Sequence, residues 1–267
     1  MGAEARPVIV KVGIVGMGVI GRAVAHAIET GLPGVALAGV TVRDPARAAG
    51  YRAVPLPELI ERSDLIVEAA TQAALREFGP AVLTAGRHLM VLSVGGLVGV
   101  LDEWARLAEK HGCRLLVPSG AIAGLDGVKG AREGAITSVT METRKPPRGL
   151  AGAPGIVERR IDLDAIRGET LVFEGAAAEA VRAFPANVNV VAALSLAGIG
   201  PERTRIKVFA VPGLERNQHR VVVEGEFGRL AIEIENVPSE NPRTGKLSYL
   251  STIAMLRELG ASTRVGT

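Results

Sequence analysis

The sequence predicts an α/β fold: a Rossmann-type doubly wound parallel sheet followed by a second, α+β domain. Three observations carry that prediction. A glycine-rich turn, Gly16-Met17-Gly18-Val19-Ile20-Gly21, directly follows an apolar run. From residue 8 to about residue 118, short apolar runs alternate with helical stretches, as in parallel sheets. Beyond Ser119 the alternation gives way to period-two strands and to loops rich in Pro and Gly.

Residues 8–15 read as a buried strand, and residues 22–30 as a helix ended by Gly31-Leu32-Pro33. Residues 35–42, 65–68, 88–92 and 114–118 read as further strands with helices between them. Asp44-Pro45 has the form of a helix cap followed by proline at the first helical position, and Leu101-Asp102-Glu103-Trp104 opens another helix. Residues 136–143 alternate like a half-buried strand, whereas residues 144–155 carry three prolines and several glycines and are expected to form a loop. Residues 176–184 and 188–198 read as helices, and residues 203–210, 219–224 and 229–235 as antiparallel strands with one polar face. In residues 246–259, Leu247, Leu250, Ile253, Leu256 and Leu259 recur at helical spacing, and this helix is expected to return to the first domain. The expected division is a dinucleotide-binding domain over 1–118, an α+β domain over 119–245 and a C-terminal helix over 246–267.

The 267 residues are 48% apolar, enough for a continuous core without covalent staples. A lone cysteine, Cys113, excludes an internal disulfide and fits a reducing compartment. It precedes the apolar run Leu115-Leu116-Val117 and reads as a packing thiol. Neither a signal-peptide core nor a bilayer-length apolar segment is visible, so a soluble, cytoplasmic protein away from membranes is expected. The formal charge is only +3, and the basic residues are scattered without interleaved aromatics, which argues against nucleic acid as a partner. The sequence lacks a His, Cys and Asp cluster at ligand spacing, so a catalytic metal is not expected.

The G-x-G-x-x-G turn points to a dinucleotide. Gly16 permits the tight turn, Gly18 lets the backbone approach a pyrophosphate, and Gly21 lets the helix sit close to the strand. Val19 and Ile20, between them, bring helix N–H groups toward the phosphate charge. Sites for NAD usually end their second strand with Asp or Glu, but here the stretch reads Val42-Arg43-Asp44. Arg43 either meets the 2′-phosphate of NADP or is a solvated loop residue, and Asp44 is either a ribose ligand or a helix cap, so NAD or NADP is expected.

Of the four histidines, His26, His88 and His111 lie within or at the ends of regular elements and read as structural. His219 stands in the polar run Glu215-Arg216-Asn217-Gln218-His219-Arg220, which reads as a turn feeding a strand. An imidazole there has the chemistry to accept a proton or activate water near neutral pH, and the local sequence leaves a structural role open. Residues 118–126 offer small residues for a flat ring to lie against, or a plain linker. Residues 236–244 offer amide, hydroxyl and guanidinium donors, or a capped surface loop.

Several of these stretches, in order, resemble the L-aspartate dehydrogenase family over essentially the whole chain. They are Gly16 to Gly21, Ser93-Val94-Gly95-Gly96-Leu97, Gly120-Ala121-Ile122-Ala123-Gly124-Leu125-Asp126, Arg144-Lys145-Pro146, Asn187-Val188-Asn189-Val190, Leu194-Ser195-Leu196-Ala197-Gly198, Asn217-Gln218-His219 and Asn241-Pro242-Arg243-Thr244. The resemblance implies that Ala121 and Asn189 contact the dinucleotide, that His219 is catalytic, and that Asn241 and Thr244 lie near substrate and nicotinamide. It implies NAD(P)-dependent oxidative deamination of L-aspartate to oxaloacetate and ammonia through iminoaspartate, a link to NAD biosynthesis, and a homodimer. Arg144, Lys145, Arg243 and Lys246 are candidates to meet the two substrate carboxylates, or are solvated surface charges. The alternatives are a dehydrogenase of another small acid, or a non-catalytic NAD(P)-binding sensor on the same fold. The Glu-Lys-Pro signature of many sugar oxidoreductases is absent, since the corresponding region reads His88-Leu89-Met90-Val91-Leu92-Ser93-Val94-Gly95.

Overall fold

The computed structural model describes residues 9–185, 189–237 and 245–266. It divides into two compact units, the first made of residues up to Pro118 together with Tyr249–Val265, the second of residues 119–248 and Gly266.

The first unit runs β1 (Val10–Val15), α1 (Val19–Glu29), β2 (Val35–Thr41), α2 (Leu56–Arg62), β3 (Leu65–Glu68), α3 (Gln72–Thr84), β4 (His88–Val91), α4 (Leu101–Lys110) and β5 (Leu115–Leu116). The sheet order is β2-β1-β3-β4-β5 and every pairing is parallel. All four residues of β3 are buried, as expected of a strand covered on both faces. The strand order reverses between β1 and β3, and ligands of such sheets bind at the carboxyl ends of the strands beside that reversal. The helix after β1 starts at Val19, three residues before the sequence suggested, because the extended backbone of Gly18 caps it. The last strand is shorter than expected, with only Leu115 and Leu116 paired to β4.

The second unit runs α5 (Leu125–Arg132), β6 (Ile136–Lys145), α6 (Pro154–Glu158), β7 (Thr170–Ala176), α7 (Ala177–Ala183), α8 (Asn189–Ala197), β8 (Arg205–Ala210), β9 (Asn217–Gly225) and β10 (Gly228–Asn236). Its sheet has the order β10-β9-β6-β8-β7. The three expected antiparallel strands do alternate in direction, and only their bounds are corrected, to Arg205–Ala210, Asn217–Gly225 and Gly228–Asn236. β6 lies between β8 and β9, and it pairs parallel with β8 while the other pairings are antiparallel. The expected loop over 144–155 is also corrected. Arg144 and Lys145 belong to β6, where they pair with Phe209 and Ala210 of β8, and the strand stops where Pro146 offers no N–H to a ladder. A 3-10 turn at Pro147–Gly149 and α6 occupy the rest. Elements the sequence did not disclose are α5 and β7.

The two faces of this sheet differ. One carries Val139 and Met141 of β6 and Val221 and Val223 of β9, all buried. The start of α5 lies against it, since a Cβ on Gly124, its N-cap, would strike Ile232 of β10 and one on Gly127 would lie 3.3 Å from Leu230. The other face carries ion pairs, among them Arg220 with its cross-strand partner Glu233, and Arg144 with Glu142 two residues earlier on β6 and with Glu169 just before β7. Exposed pairs of this kind add little stability individually, but their alternation with the apolar residues fixes which face is covered.

The last helix, α9 (Leu247–Leu259), supplies Leu256 to the core of the first unit, beside Ile14, Val24, Ile28 and Met90, with Ile253, Met255 and Leu259 packed around it. Leu256 is fully buried. Replacing it with Ala is expected to cost about 3 kcal/mol through lost burial and a residual cavity, read as a lower urea midpoint; a change below about 1 kcal/mol would show that α9 is not integral to that core.

Candidate functional site

In the first unit the chemistry gathers at the carboxyl ends of β1, β3 and β4. Gly16 has a positive φ of 96°, and a Cβ there would lie 2.6 Å from Ala69 O. At Gly21 a Cβ would sit 2.0 Å from Gly16 O, so only glycine lets α1 come this close to the turn. At Gly18 a Cβ would meet nothing within 4 Å, and no side chain caps the helix start. The turn therefore fits a phosphate group, with room at Gly18 and uncapped N–H groups behind it.

Glu68, which the sequence reading passed over, ends β3 and is fully buried. Its Oε1 accepts hydrogen bonds from Ala70 N and Ser93 Oγ, both at 2.8 Å. Its Oε2 accepts from Ser93 N at 2.8 Å and Leu92 N at 3.2 Å. Burial pushes its carboxyl pKa up, and these hydrogen bonds pull against that shift. One side chain thus ties the loop after β3 to the loop after β4. A lone acidic residue in an apolar strand, LIVE, was the signal available in the sequence.

In the second unit five buried polar side chains, Thr143, Lys145, Asn217, His219 and Asn236, occupy one end of the otherwise apolar sheet face. His219 is not in a turn, as the sequence suggested, but is the third residue of β9, where hydrogen bonding on both sides holds it. It stands directly opposite Thr143, and Thr143 Oγ1 lies 2.7 Å from His219 Nδ1. Burial, reinforced by the Lys145 ammonium, pushes the imidazole pKa down to about 3 from its ordinary 6.5, so the ring is neutral. Burial pushes the Lys145 ammonium down to about 8 from 10.5. One row further along, Asn236 pairs with Asn217, and its Nδ2 donates to Ala121 O at 2.6 Å.

The remaining residues singled out in the sequence are dispersed. Arg43 is exposed beyond the end of β2, and Asp44 Oδ1 accepts from Ala46 N at 3.0 Å, capping a 3-10 turn. Val19 and Ile20 are the first two residues of α1 and Asn189 the first of α8. Asn187, Asn241, Arg243 and Thr244 lie outside the described residues. Arg144 is on the opposite face from His219, bonded to Glu142 and Glu169 and stacked over Phe209. Lys246 is exposed. His88 Nδ1 accepts from Arg114 N, and Cys113 is buried with its thiol pKa raised by desolvation. Among the described residues no His, Cys, Asp and Glu grouping could hold a metal ion, and no helix is long and apolar enough to cross a membrane.

The profile described as "Aspartate dehydrogenase, C-terminal" matches residues 126–259, and "Homoserine dehydrogenase, NAD binding domain" matches residues 16–118. L-aspartate dehydrogenase of Methanocella arvoryzae is 46% identical, over 96% of this chain and 99% of its own. That of Bradyrhizobium diazoefficiens is 44% identical, over 96% and 94%. The crystal structure of aspartate dehydrogenase from Thermotoga maritima superposes with a TM-score of 0.75 at 25% identity, covering 96% of this chain and 99% of that one.

Two outcomes follow from the site's geometry. In Glu68→Gln an amide nitrogen replaces an acceptor oxygen that serves two donors, so a loss of about 2 kcal/mol in urea unfolding is expected; an unchanged midpoint would mean that the staple between the two loops is unimportant. For His219, whose folded pKa of about 3 lies below the ordinary 6.5, the unfolded chain binds the proton first, so stability present above pH 6.5 is lost as pH falls toward 3. Urea midpoints measured from pH 7 to pH 4 should fall less in His219→Gln than in the parent, and equal slopes would place the imidazole in a solvated setting.

Proposed function

The chain belongs to the L-aspartate dehydrogenase family, and from that premise we propose that it catalyses the NAD(P)-dependent oxidative deamination of L-aspartate to oxaloacetate and ammonia. The observation that carries this reading is likeness over the full length to L-aspartate dehydrogenases at 44–46% identity. A neutral, buried imidazole at the polar end of the second sheet supports it from the side of the chemistry.

The turn of Gly16, Gly18, Val19, Ile20 and Gly21 binds the pyrophosphate on the first-turn N–H groups of α1. Arg43 faces the adenosine ribose, where its guanidinium accommodates the 2′-phosphate of NADP, and the use of Asp44 as a cap leaves room for either cofactor. Ala121 and Asn189 add contacts to the dinucleotide, and Asn241 and Thr244 stand near the substrate. When bound, the nicotinamide accepts hydride from the substrate α-carbon. His219 acts on the protons: its ring nitrogen not engaged by Thr143 takes one from the amino group, or from the water that converts iminoaspartate to oxaloacetate and ammonia. In the reverse direction it returns the proton. The protein works in the cytoplasm as a homodimer, and the iminoaspartate stage connects it to NAD biosynthesis.

The test is absorbance of reduced nicotinamide when purified protein meets L-aspartate with NAD or NADP, with D-aspartate, L-glutamate and L-homoserine as controls. Reduction with L-aspartate alone is expected, and His219→Ala should lower kcat at least about 100-fold while NADH affinity stays within twofold. Tight NAD(H) binding without reduction by any of these substrates would overturn the reading in favour of another small acid or a sensor.

A further inference from the structure

An ammonium buried beside a neutral imidazole is an uncommon arrangement, because taking a charge out of water is costly. Lys145 and His219 are each only 4% exposed. Lys145 is the last residue of β6 and shares its face with Thr143, two residues earlier, or about 7 Å along the strand. Thr143 in turn faces His219, and Arg144 faces Gln218, so the Lys145 row is that of Asn217. Next to burial, the lysine's positive charge is the second cause that holds the His219 imidazole pKa down.

We propose that Lys145 anchors a carboxylate of the amino dicarboxylic acid whose amino group lies at His219, an assignment that rests on the reading of His219 as the proton-transfer residue. Two substrate carboxylates call for cationic or N–H partners. Among the described cations of the candidate stretches, Arg144 is held on the opposite face by Glu142 and Glu169, and Lys246 is exposed. Lys145 alone of these is on the His219 face. Its compact ammonium offers three rotatable donors, which suits a carboxylate arriving from a mobile small ligand. A carboxylate seated there favours the charged ammonium, counteracting the depression that burial imposes. The same electrostatics make Lys145 a specificity element: an amino acid with one carboxylate fewer forgoes the charge-assisted contact at this ammonium or at its counterpart subsite.

The test uses succinate, which has both carboxylates and no amino group to oxidise. Its affinity for the full-length enzyme saturated with NADH is measured by isothermal titration for the parent, Lys145→Met and Lys145→Arg, alongside KM and kcat for L-aspartate and the melting temperature. Lys145→Met is expected to weaken succinate binding and raise KM at least about 30-fold, with NADH affinity within twofold and the melting temperature not lowered. Lys145→Arg should recover part of the succinate affinity. Succinate affinity and KM within threefold of the parent's, a loss confined to kcat, or a parent that does not bind succinate would each overturn the anchor. If the parent binds succinate through Lys145 yet does not turn over L-aspartate, the anchor stands and the assigned reaction falls. Should Lys145→Met fail to fold, Lys145→Gln carries the same comparison.

Discussion

The hydrogen bond between Thr143 Oγ1 and His219 Nδ1, 2.7 Å long, decides what the second unit can do. A ring nitrogen buried without a partner costs a few kcal/mol, so the bond is part of what allows an imidazole to sit on this sheet face at all. It also divides the work of the two nitrogens. With Nδ1 committed to the hydroxyl, Nε2 is the nitrogen that carries the reacting proton in the proposed reaction. A threonine hydroxyl both donates and accepts. When it accepts from Nδ1–H, Nε2 carries a lone pair and is a base; when it donates to Nδ1, Nε2 carries the proton and is an acid. Antiparallel register, which sets Thr143 directly across from His219, makes that exchange available without any backbone movement.

Both units place their exceptional polar groups at the end of a sheet rather than in its middle. Glu68 ends β3, and Lys145, Asn217 and Asn236 stand at the ends of β6, β9 and β10. Ladder hydrogen bonds run out at these points, and the loop N–H and C=O groups left over need partners. Glu68 serves three such N–H groups together with the Ser93 hydroxyl, and the Asn236 amide serves the carbonyl of Ala121. Side chains that satisfy loops in this way also make them rigid, and rigid loops are what hold a ligand in a defined pose.

The first unit was legible because its signals are local. A glycine motif after an apolar run, and short, mostly apolar strands such as Leu65–Glu68, need no knowledge of distant residues. In the second unit the decisive facts are long-range. Asn217-Gln218-His219 is polar enough to read as a turn, yet pairing with β6 and β10 on either side makes it the middle strand of three. Arg144 and Lys145 precede Pro146-Pro147 and read as loop, but the parallel partner β8 claims them for the sheet. Lys145 and Arg144, neighbours in sequence, then face opposite ways, one into the polar end and the other over Phe209 between two glutamates. Composition cannot separate them; the two-residue period of a strand can, once the strand is recognised. Glu68 was missed because one carboxylate in an apolar run carries no periodicity of its own.

A neutral histidine with a pKa of about 3 is a weak base, and its weakness has two sources, desolvation and the neighbouring ammonium. The second source is removable. A carboxylate seated on Lys145 offsets the positive charge that opposes protonation of the ring, and it does so in a buried setting where water screens little. In the proposed reaction the imidazole therefore gains basicity when a substrate of the right charge is present and loses it when the product leaves. Burial alone would give a histidine that stays inert. The presence of His219 and Lys145 on one sheet face makes the proton affinity of the ring depend on what is bound beside it, and in the reaction we propose this couples recognition of the substrate's charge to the chemistry at its amino group.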